Sequence, residues 1–406
     1  MSIQVYGDGI NSSVGANTIR HFYDKAGIKA ANRQNIYGQF ADRKSMPTKR
    51  GKTFKISKFL HIYDRDVGAA DFASKGYLTA RTATEVSNDL TNATLTEGAG
   101  AVNKRNLKKV TMETSFARYG EMIEYTDEVE LFSEDSMQVR YREELGALAN
   151  SRWEDLLQLD MLATPTVLYS GSATSMATVA NNIATNGSED ADWKVSYDLI
   201  RRSVRKLVRN RAKKNTRIVT GSTKVGTTPI NSAYYAIIDS DVKADLENLV
   251  RGAGYEREFV FTPVHKYAGA SNLAEGEVGS MHEVRFIESE GAVVYAGQGA
   301  VVPTGYTGTL AYTTFATNAD AVAVRGTGAT AGSYFDVHPI LFPTEGAFAT
   351  VGLKGQGKIK FNAKAPSEVE LANPYGTTGF FSYNFFYAGI ILEEEKVLKV
   401  LVAAGQ

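Results

Sequence analysis

The chain has 406 residues, a formal net charge of zero at pH 7 and no cysteine. Its length is enough for two or three domains or subdomains, and the absence of cysteine excludes disulfides, thiolate catalysis and cysteine-based zinc sites. No apolar run approaches the roughly 18 residues that a membrane-spanning helix needs, and the N-terminus lacks the pattern of a signal peptide. The sequence therefore predicts a protein that is made and used in the cytoplasm.

The zero net charge is the sum of separate basic and acidic blocks. Residues 1–58 contain eleven Lys and Arg against three Asp, and residues 201–217 contain nine basic residues and no acid. Residues 119–136 contain seven acids and no Lys or Arg. Such blocks suit contacts between copies of one chain, or contacts between the basic side and a polyanion. For any single block, an unevenly charged solvated surface is the commoner explanation.

The first third of the chain predicts an arm followed by a long loop. Residues 1–48 are polar and rich in Gly and Asn, with at most one short helix, which is typical of an arm that packs on something else. The sequence "KTFKISKFL" (52–60) alternates as a strand does, and "NLKKVTMETSFARYG" (106–120) returns as another. The segment between them is largely polar, and a loop that long is unusual inside a compact domain. The two strands therefore predict a projecting two-stranded loop.

Two helices are predicted in the middle of the chain. The first covers about residues 134–164, with Ser133 or Ser136 as its cap and Pro165 as its stop. Its apolar residues fall on one face: Met137, Tyr141, Leu145, Leu148, Leu156 and Leu159. The second has apolar residues spaced 4, 3, 4, 3, and its other faces carry the basic block: Trp193, Tyr197, Ile200, Val204 and Leu207.

The last part of the chain reads as mixed strands and turns. "YYAIIDSDVKADLENL" predicts a strand followed by a helix capped near Asp239. Short strands and Gly-rich turns follow up to about residue 380, and one closing strand is predicted at 379–406. The fold class is α+β.

Each pattern for catalysis or cofactor binding lacks a required residue. "GLKGQGKI" (352–359) matches the spacing of a phosphate-binding loop, but Ile359 replaces the hydroxyl that holds magnesium, and a strand follows instead of a helix. "RGKT" (50–53) has Met46 where the first Gly should stand. The five histidines have no metal-ligand spacing: His21, His61, His265, His282 and His338. No catalytic residue, cofactor or metal is expected.

The acids of residues 119–136 do not form a calcium loop either, because they lack its spacing and its Gly. On a strand, Glu124, Glu128 and Glu130 share one face, and Glu121 and Asp127 share the other, so the acids do not converge on one point. Like charges this dense need positive partners or open water. The candidate partners are the basic arm, "NKRNLKK" (103–109) and the block 201–217, in the same copy or a neighbouring one.

Several stretches resemble one family of proteins. They are "YGQFADRKSMPTKRGKTFKISKF" (37–59), "LTEG" (95–98), "FARYGEMIEYTDEVELFSED" (116–135), "ELGALANSRWEDLL" (144–157) and "AEGEVGSMHEVRFIES" (274–289). In this order they resemble the major capsid proteins of tailed bacteriophages with the HK97-like fold, and in particular the branch found in N4-like podophages. The resemblance does not extend residue by residue to 291–380.

The resemblance implies a division of the chain and a set of partners. It implies an N-arm at 1–48, an E-loop at 49–110, a P-domain at 111–225 with the spine helix at about 134–164, an axial A-domain at 226–378 and a closing P-domain strand at 379–406. The implied partners are copies of the same chain in hexamers and pentamers, packaged double-stranded DNA bound without sequence specificity, a portal, and a separate scaffold or none. A decoration protein is left open.

The implied function is a capsid shell assembled in the host cytoplasm, without catalysis. Candidate contacts between copies are Glu121, Glu124, Asp127, Glu128, Glu130, Arg201, Arg202, Arg205, Arg209, Lys52, Lys55 and Lys58. One alternative keeps the fold and changes the cargo, as in encapsulin compartments. Another is a nucleic-acid-binding protein that uses the 201–217 helix, and an enzyme comes last.

Overall fold

The computed structural model describes residues 35–59, 82–95, 97–98, 107, 109–128, 137–216, 232–249, 262–267, 273–355, 359–366 and 373–405. Its helices are α1 (Ala83–Asn92), α2 (Met137–Leu162), α3 (Asp190–Trp193), α4 (Tyr197–Arg209), α5 (Ser240–Glu247) and α6 (Asn318–Arg325). Its strands are β1 (Asp42–Met46), β2 (Thr53–Phe59), β3 (Lys109–Ser115), β4 (Ala117–Thr126), β5 (Val167–Tyr169), β6 (Tyr234–Ile238), β7 (Thr262–Pro263), β8 (Glu277–Met281), β9 (Val284–Glu288), β10 (Tyr312–Phe315), β11 (Gly332–Phe335), β12 (His338–Phe342), β13 (Phe348–Leu353), β14 (Lys360–Lys364), β15 (Thr378–Tyr387), β16 (Gly389–Ile391) and β17 (Leu398–Val402). None of these helices is long and apolar enough to cross a membrane.

A seven-stranded mixed sheet occupies the centre of the fold, in the order β5-β17-β12-β6-β9-β8-β7. All five residues of β6 are buried. Because side chains alternate along a strand, Tyr234, Ala236 and Ile238 enter one hydrophobic core, and Tyr235 and Ile237 enter another. The central sheet is therefore covered on both faces.

Helices α4 and α5 cover the first face. Ser196 caps α4 by accepting a hydrogen bond from the backbone N–H of Leu199. Ile200, Val204 and Leu207 of the predicted apolar stripe pack on the sheet, with Tyr197 partly buried beside them. Trp193 lies on the separate helix α3 and enters another core, because the chain is extended at Lys194 and Ser196 between the two helices. Asp239 caps α5 by accepting from Val242 N–H, as the sequence predicts. The predicted domain boundary at residue 225 does not separate two cores, because α4 lies before it and shares one core with β6, β9 and β12 after it.

The long helix α2 covers the second face and lies between the central sheet and a three-stranded sheet, β14-β15-β4. The helix ends at Leu162, two residues earlier than predicted, and its predicted start and caps at 133–136 lie outside the described residues. Leu145, Leu157 and Met161 are buried, but Leu159 is 54% exposed. The predicted single apolar face is wrong at Leu159 because this side chain borders an open cleft between α2 and β4, which Arg152 and Tyr119 also line.

A row of alternate aromatic side chains on β15 forms most of the contact with α2. Phe381, Tyr383, Phe385 and Tyr387 are all buried on the helix side of the strand. Trp153 of α2 packs edge-on against Tyr387, with 5.2 Å between the ring centroids. Aromatic pairs of this kind stabilise beyond the area they bury, so this row is a main attachment of helix to sheet.

The segment 379–406 contains three strands instead of the single closing strand that the sequence predicts. The strand β15 pairs with β4 and β14, β16 pairs with β13, and β17 pairs with β12 and β5, so each belongs to a different sheet. The chain leaves the first sheet at Ala388 and Gly389, where Asp160 and the Tyr387 hydroxyl leave no room for a Cβ on Gly389. A 3-10 turn at Glu394–Lys396 separates the last two strands.

The base of the predicted E-loop is a hairpin of β2 and β3. Phe54, Ile56 and Met112 pack on a small core beside β13 and β16, and the Thr114 hydroxyl donates to Gly389 O at 2.9 Å. The opposite face of the hairpin is exposed and polar. Much of the predicted loop lies outside the described residues, so its projection from the subunit stays a prediction.

Asp190 on α3 binds the loop that contains Tyr306 and Thr309, and the contribution of this contact to stability can be tested. Its buried carboxylate accepts hydrogen bonds from the Tyr306 hydroxyl (2.8 Å), the Thr309 hydroxyl (3.0 Å) and the Thr309 N–H (2.6 Å). We expect Asp190→Ala to lower the free energy of unfolding by about 2 to 4 kcal/mol, since it leaves buried donors without acceptors. Urea unfolding of the unassembled subunit measures this. The exposed Asp192→Ala on the same helix is the control, and equal effects of the two changes would contradict the prediction.

Candidate assembly surface

The acidic strand β4 contacts α2 through one ion pair. Glu121 Oε1 lies 3.0 Å from Arg152 Nε, and Asp155 Oδ2 lies 3.9 Å from Arg152 Nη1. The hydrogen bond and the charge of Glu121 raise the pKa of Arg152. Sequence reasoning did not find this partner. Trp153 could have indicated it, because its ring packs on the aromatic side chains of β15. This packing places the adjacent residue Arg152 beside Glu121 on the neighbouring strand β4.

The remaining acids lie at the end of β4 and beyond it. The strand ends at Thr126, so Asp127 and Glu128 do not share faces with Glu124 as a continuous strand would require. Asp127 N–H donates to Thr377 O at 2.9 Å, and its carboxylate accepts from Glu128 N–H. Within the described ranges, Glu124, Asp127 and Glu128 have no cationic partner, and Glu130 lies outside those ranges.

The basic helix α4 carries two kinds of Arg. Arg201 pairs with Asp198 one turn earlier, at 3.3 Å between Nη1 and Oδ1. Arg202, Arg205 and Arg209 are exposed and form no ion pair with any residue that the structure describes. The helix therefore presents three uncompensated positive charges to its surroundings.

The lysines of the hairpin mostly have partners in their own subunit. Lys55 pairs with Glu113 across the two strands at 2.7 Å, and Lys58 lies 3.3 Å from Glu393. Lys52 is exposed, and no ion pair forms between it and the described residues. Glu121 pairs with Arg152, which lies outside the basic blocks predicted as partners. None of the other described candidate acids forms an ion pair with a described residue of those blocks in the same copy.

A buried carboxylate on α2 holds the start of the described arm. Glu154 is 1% exposed and accepts hydrogen bonds from the backbone N–H groups of Tyr37 (2.8 Å) and Gly38 (3.2 Å). A Cβ on Gly38 would lie 3.1 Å from Glu154 Oε1, a tight contact that a glycine avoids. This contact brings the "YGQF" stretch against the "RWEDLL" turn of α2.

The next arm residue extends the same junction to the central sheet. The Gln39 amide donates to Glu275 O and accepts from Glu275 N–H, each at 3.2 Å, as a backbone partner would. The ring of Phe40 packs 5.2 Å from the ring of Tyr235 on β6. Three of the sequence stretches that carry the resemblance therefore meet at one place, the arm junction formed by residues 37–40, Glu154 and Glu275.

His338 forms a buried pair at the edge of the central sheet. Its Nδ1 contacts a carboxylate oxygen of Asp239, the residue that also caps α5. Ligand atoms of Asp239, Asp241 and His338 lie within 4.8 Å of one another, but both Asp239 oxygens are already engaged, which favours an ion pair over a metal site. Burial alone would lower the pKa of His338, but the hydrogen bond and the charges of Asp239, Asp241 and Asp336 outweigh it and raise the pKa.

Comparison with known proteins agrees with this architecture. No protein-family model matches the chain. A curated relative, the major capsid protein of Pseudomonas phage KPP21, is 27% identical over 412 residues, which cover 98% of this chain and 95% of the relative. The capsid of Ralstonia phage GP4 aligns with a TM-score of 0.56 at 14% identity, over 100% of this chain and 99% of that chain. The mature capsid of bacteriophage PhiM1 aligns with a TM-score of 0.50 at 11% identity, over 98% of each chain.

The chain therefore has the HK97-like fold of phage capsid proteins. It is a major capsid protein of a tailed phage, a structural component of the virion that assembles with copies of itself into a shell. The finer resemblance to the N4-like branch stays a prediction.

The arm junction gives a prediction about local stability. In Glu154→Ala, the N–H groups of Tyr37 and Gly38 lose their buried acceptor, so we expect amide exchange in residues 35–40 to speed up about tenfold or more. Hydrogen exchange followed by mass spectrometry measures this. The exposed Glu143→Ala on the same helix is the control, and unchanged exchange at residues 35–40 would show that the carboxylate does not hold the arm.

The His338 pair gives a pH prediction. Because its folded pKa is raised, the pair contributes stability that is fully present below the unfolded pKa of about 6.5 and is lost as pH rises through the folded pKa. The difference in unfolding free energy between wild type and His338→Gln should therefore be larger at pH 6 than at pH 9. Asp239→Asn keeps the helix cap but removes a charge that raises the pKa of His338. In this background, the effect of His338→Gln on the unfolding free energy should differ less between pH 6 and pH 9. A difference that grows with pH would contradict the prediction.

Proposed function

We propose that this protein forms an icosahedral shell of hexamers and pentamers that encloses phage double-stranded DNA. The observation that carries the proposal is the match to the KPP21 major capsid protein along nearly the whole of both chains. The whole-length similarity to the GP4 capsid fold supports it. Charges left uncompensated on α4 and at the end of β4 support it further, since subunits of a shell need complementary patches on different sides.

We also propose how the parts of the chain are used. Residues 1–48 are the N-arm, attached at the arm junction, and residues 49–110 are the E-loop, with the hairpin β2-β3 at its base. The long helix α2 and the sheet β14-β15-β4 form the P-domain. The central sheet with α4 and α5 forms the axial A-domain, so this domain begins before residue 225 and includes the last strand, β17.

The proposed assembly takes place in the host cytoplasm and requires no catalysis by this chain. The proposed partners are copies of the chain, a portal and a separate scaffold protein, with the packaged DNA bound through its phosphates and not through its sequence. A decoration protein on the outer surface is compatible with this assembly. The exposed charges on α4 and β4 are proposed to serve the contacts between copies.

Assembly of purified protein tests the function. We expect the recombinant chain, alone or co-expressed with the scaffold encoded beside it, to sediment as large particles that negative-stain images show as closed shells. A stable monomer under all assembly conditions, with and without scaffold, would contradict the proposal. Particles from infected cells that contain a protein cargo in place of DNA would indicate a compartment of the encapsulin kind.

A further inference from the structure

Two sets of surface charges in the described chain have no ionic partner, and they have opposite signs; all their members are exposed except Asp127, which is half-buried. Arg202, Arg205 and Arg209 on α4 form the basic set, called here the arginine stripe. Glu124, Asp127 and Glu128 form the acidic set, called here the acidic turn. Of the other described candidates, Glu121, Arg201, Lys55 and Lys58 have partners in their own subunit. Lys52 forms no ion pair with the described residues but lies at the start of the hairpin, apart from both sets.

The two sets match in arrangement as well as in charge. Residues 202, 205 and 209 are spaced by three and four, so they lie on one side of the helix along about 10 Å. Glu124 to Glu128 covers the last three residues of the strand and the first two residues after it, a length of about 10 Å as well. Each set contains three charges over a similar distance.

The two sets belong to different parts of the subunit. The arginine stripe is on a helix that packs on the first face of the central sheet. The acidic turn ends a strand whose neighbours are α2 and β15, on the second face. Contacts between such different sites lead to heterologous assembly, in which each subunit uses its basic side for one neighbour and its acidic side for the next.

We propose that the arginine stripe of one copy binds the acidic turn of a neighbouring copy in the shell. The inference rests on the proposed shell-forming function and names one of its contacts. Charge-assisted pairs between arginine and carboxylate groups are directional, and like charges placed opposite each other repel. The contact therefore also sets the register between neighbours.

The surroundings of the stripe favour a protein partner over DNA. A cavity of about 1010 Å³ beside the N-terminal half of α4 is lined by Arg201 and Arg202 together with Glu189, Asp192 and Asp198. The mixed charge of this lining differs from the continuous basic surface that is typical of a nucleic-acid-binding protein. The only aromatic ring in contact with an arginine of this helix, among the described residues, is Tyr197 near Arg201, so the stripe itself has no rings on which bases could stack.

Complementary charge reversals test the contact. One variant carries Arg202→Glu, Arg205→Glu and Arg209→Glu, and the other carries Glu124→Arg, Asp127→Arg and Glu128→Arg. We expect either variant alone to lower the fraction of protein that sediments as particles by about tenfold or more, because the contact becomes repulsive. An equal mixture of the two should restore assembly, since each variant then meets its complement on both sides. Restoration should be partial, because five-membered rings cannot alternate two kinds of subunit.

Matched controls separate this contact from general effects of charge. Lys213→Glu and Glu143→Lys are exposed, lie outside the two sets and reverse single charges of the same signs, so both should assemble as wild type does. Circular dichroism and thermal unfolding confirm that each variant folds. If a reversal variant does not fold, the corresponding triple glutamine variant replaces it, and it should lose the salt dependence that wild-type assembly shows.

The possible outcomes are distinct. A mixture that assembles no better than the separate variants overturns the proposal, and so does normal assembly of either variant alone. An arginine variant that assembles normally but whose shells no longer retain DNA assigns the stripe to DNA and overturns the contact. If wild type itself forms no particles, the proposed function fails first, which separates that failure from a failure of the contact.

Discussion

A carboxylate buried in the middle of the long helix determines how the parts of this subunit meet. Glu154 has almost no access to water, and a buried carboxyl group is costly unless hydrogen-bond donors replace the lost solvent. The backbone N–H groups of Tyr37 and Gly38 are such donors, so packing of the arm lowers the cost of burying this side of the helix. Gln39 then pairs with the backbone of Glu275. Burial of one side chain thus joins arm, helix and central sheet.

The same helix divides the subunit into a fixed interior and a surface left for neighbours. On its inner sides the helix meets the central sheet and the aromatic row of β15, where contacts are dense and apolar. At the periphery, Glu121 and Arg152 pair between β4 and α2, and beyond this pair the acids of the turn have no cation in the described chain. Internal ion pairs and unmatched charges therefore lie close together, and the unmatched charges are the ones proposed to serve contacts between copies.

The sequence predicts local structure well where one residue type has one physical role. Asp239 caps α5 as the sequence predicts, and Ile200, Val204 and Leu207 of the predicted stripe are buried on α4. Trp193, the first residue of the 4, 3, 4, 3 pattern, lies on the separate helix α3. Prediction fails where a segment serves several partners. Residues 379–406 read as one strand because β-forming residues run through them, yet three sheets share them. Leu159 fits an apolar stripe and is exposed, because it borders an open cleft between α2 and β4 that spacing along the helix does not reveal. The partner of Glu121 depends on tertiary packing that spacing does not encode.

Weak exposed ion pairs are suited to a shell of many identical subunits. An exposed pair contributes only about 0 to 1 kcal/mol, so a subunit that docks wrongly is held loosely and can leave before others lock it in place. In a closed shell the same small contribution is repeated at every contact, and its sum becomes large. A strong apolar patch of the same area would also bind copies in the wrong register, whereas opposed rows of three charges penalise a shift along the helix. Under the proposed contact, a subunit that pairs some charges internally, such as Glu121 with Arg152, leaves other arginines and carboxylates on its surface for its neighbours.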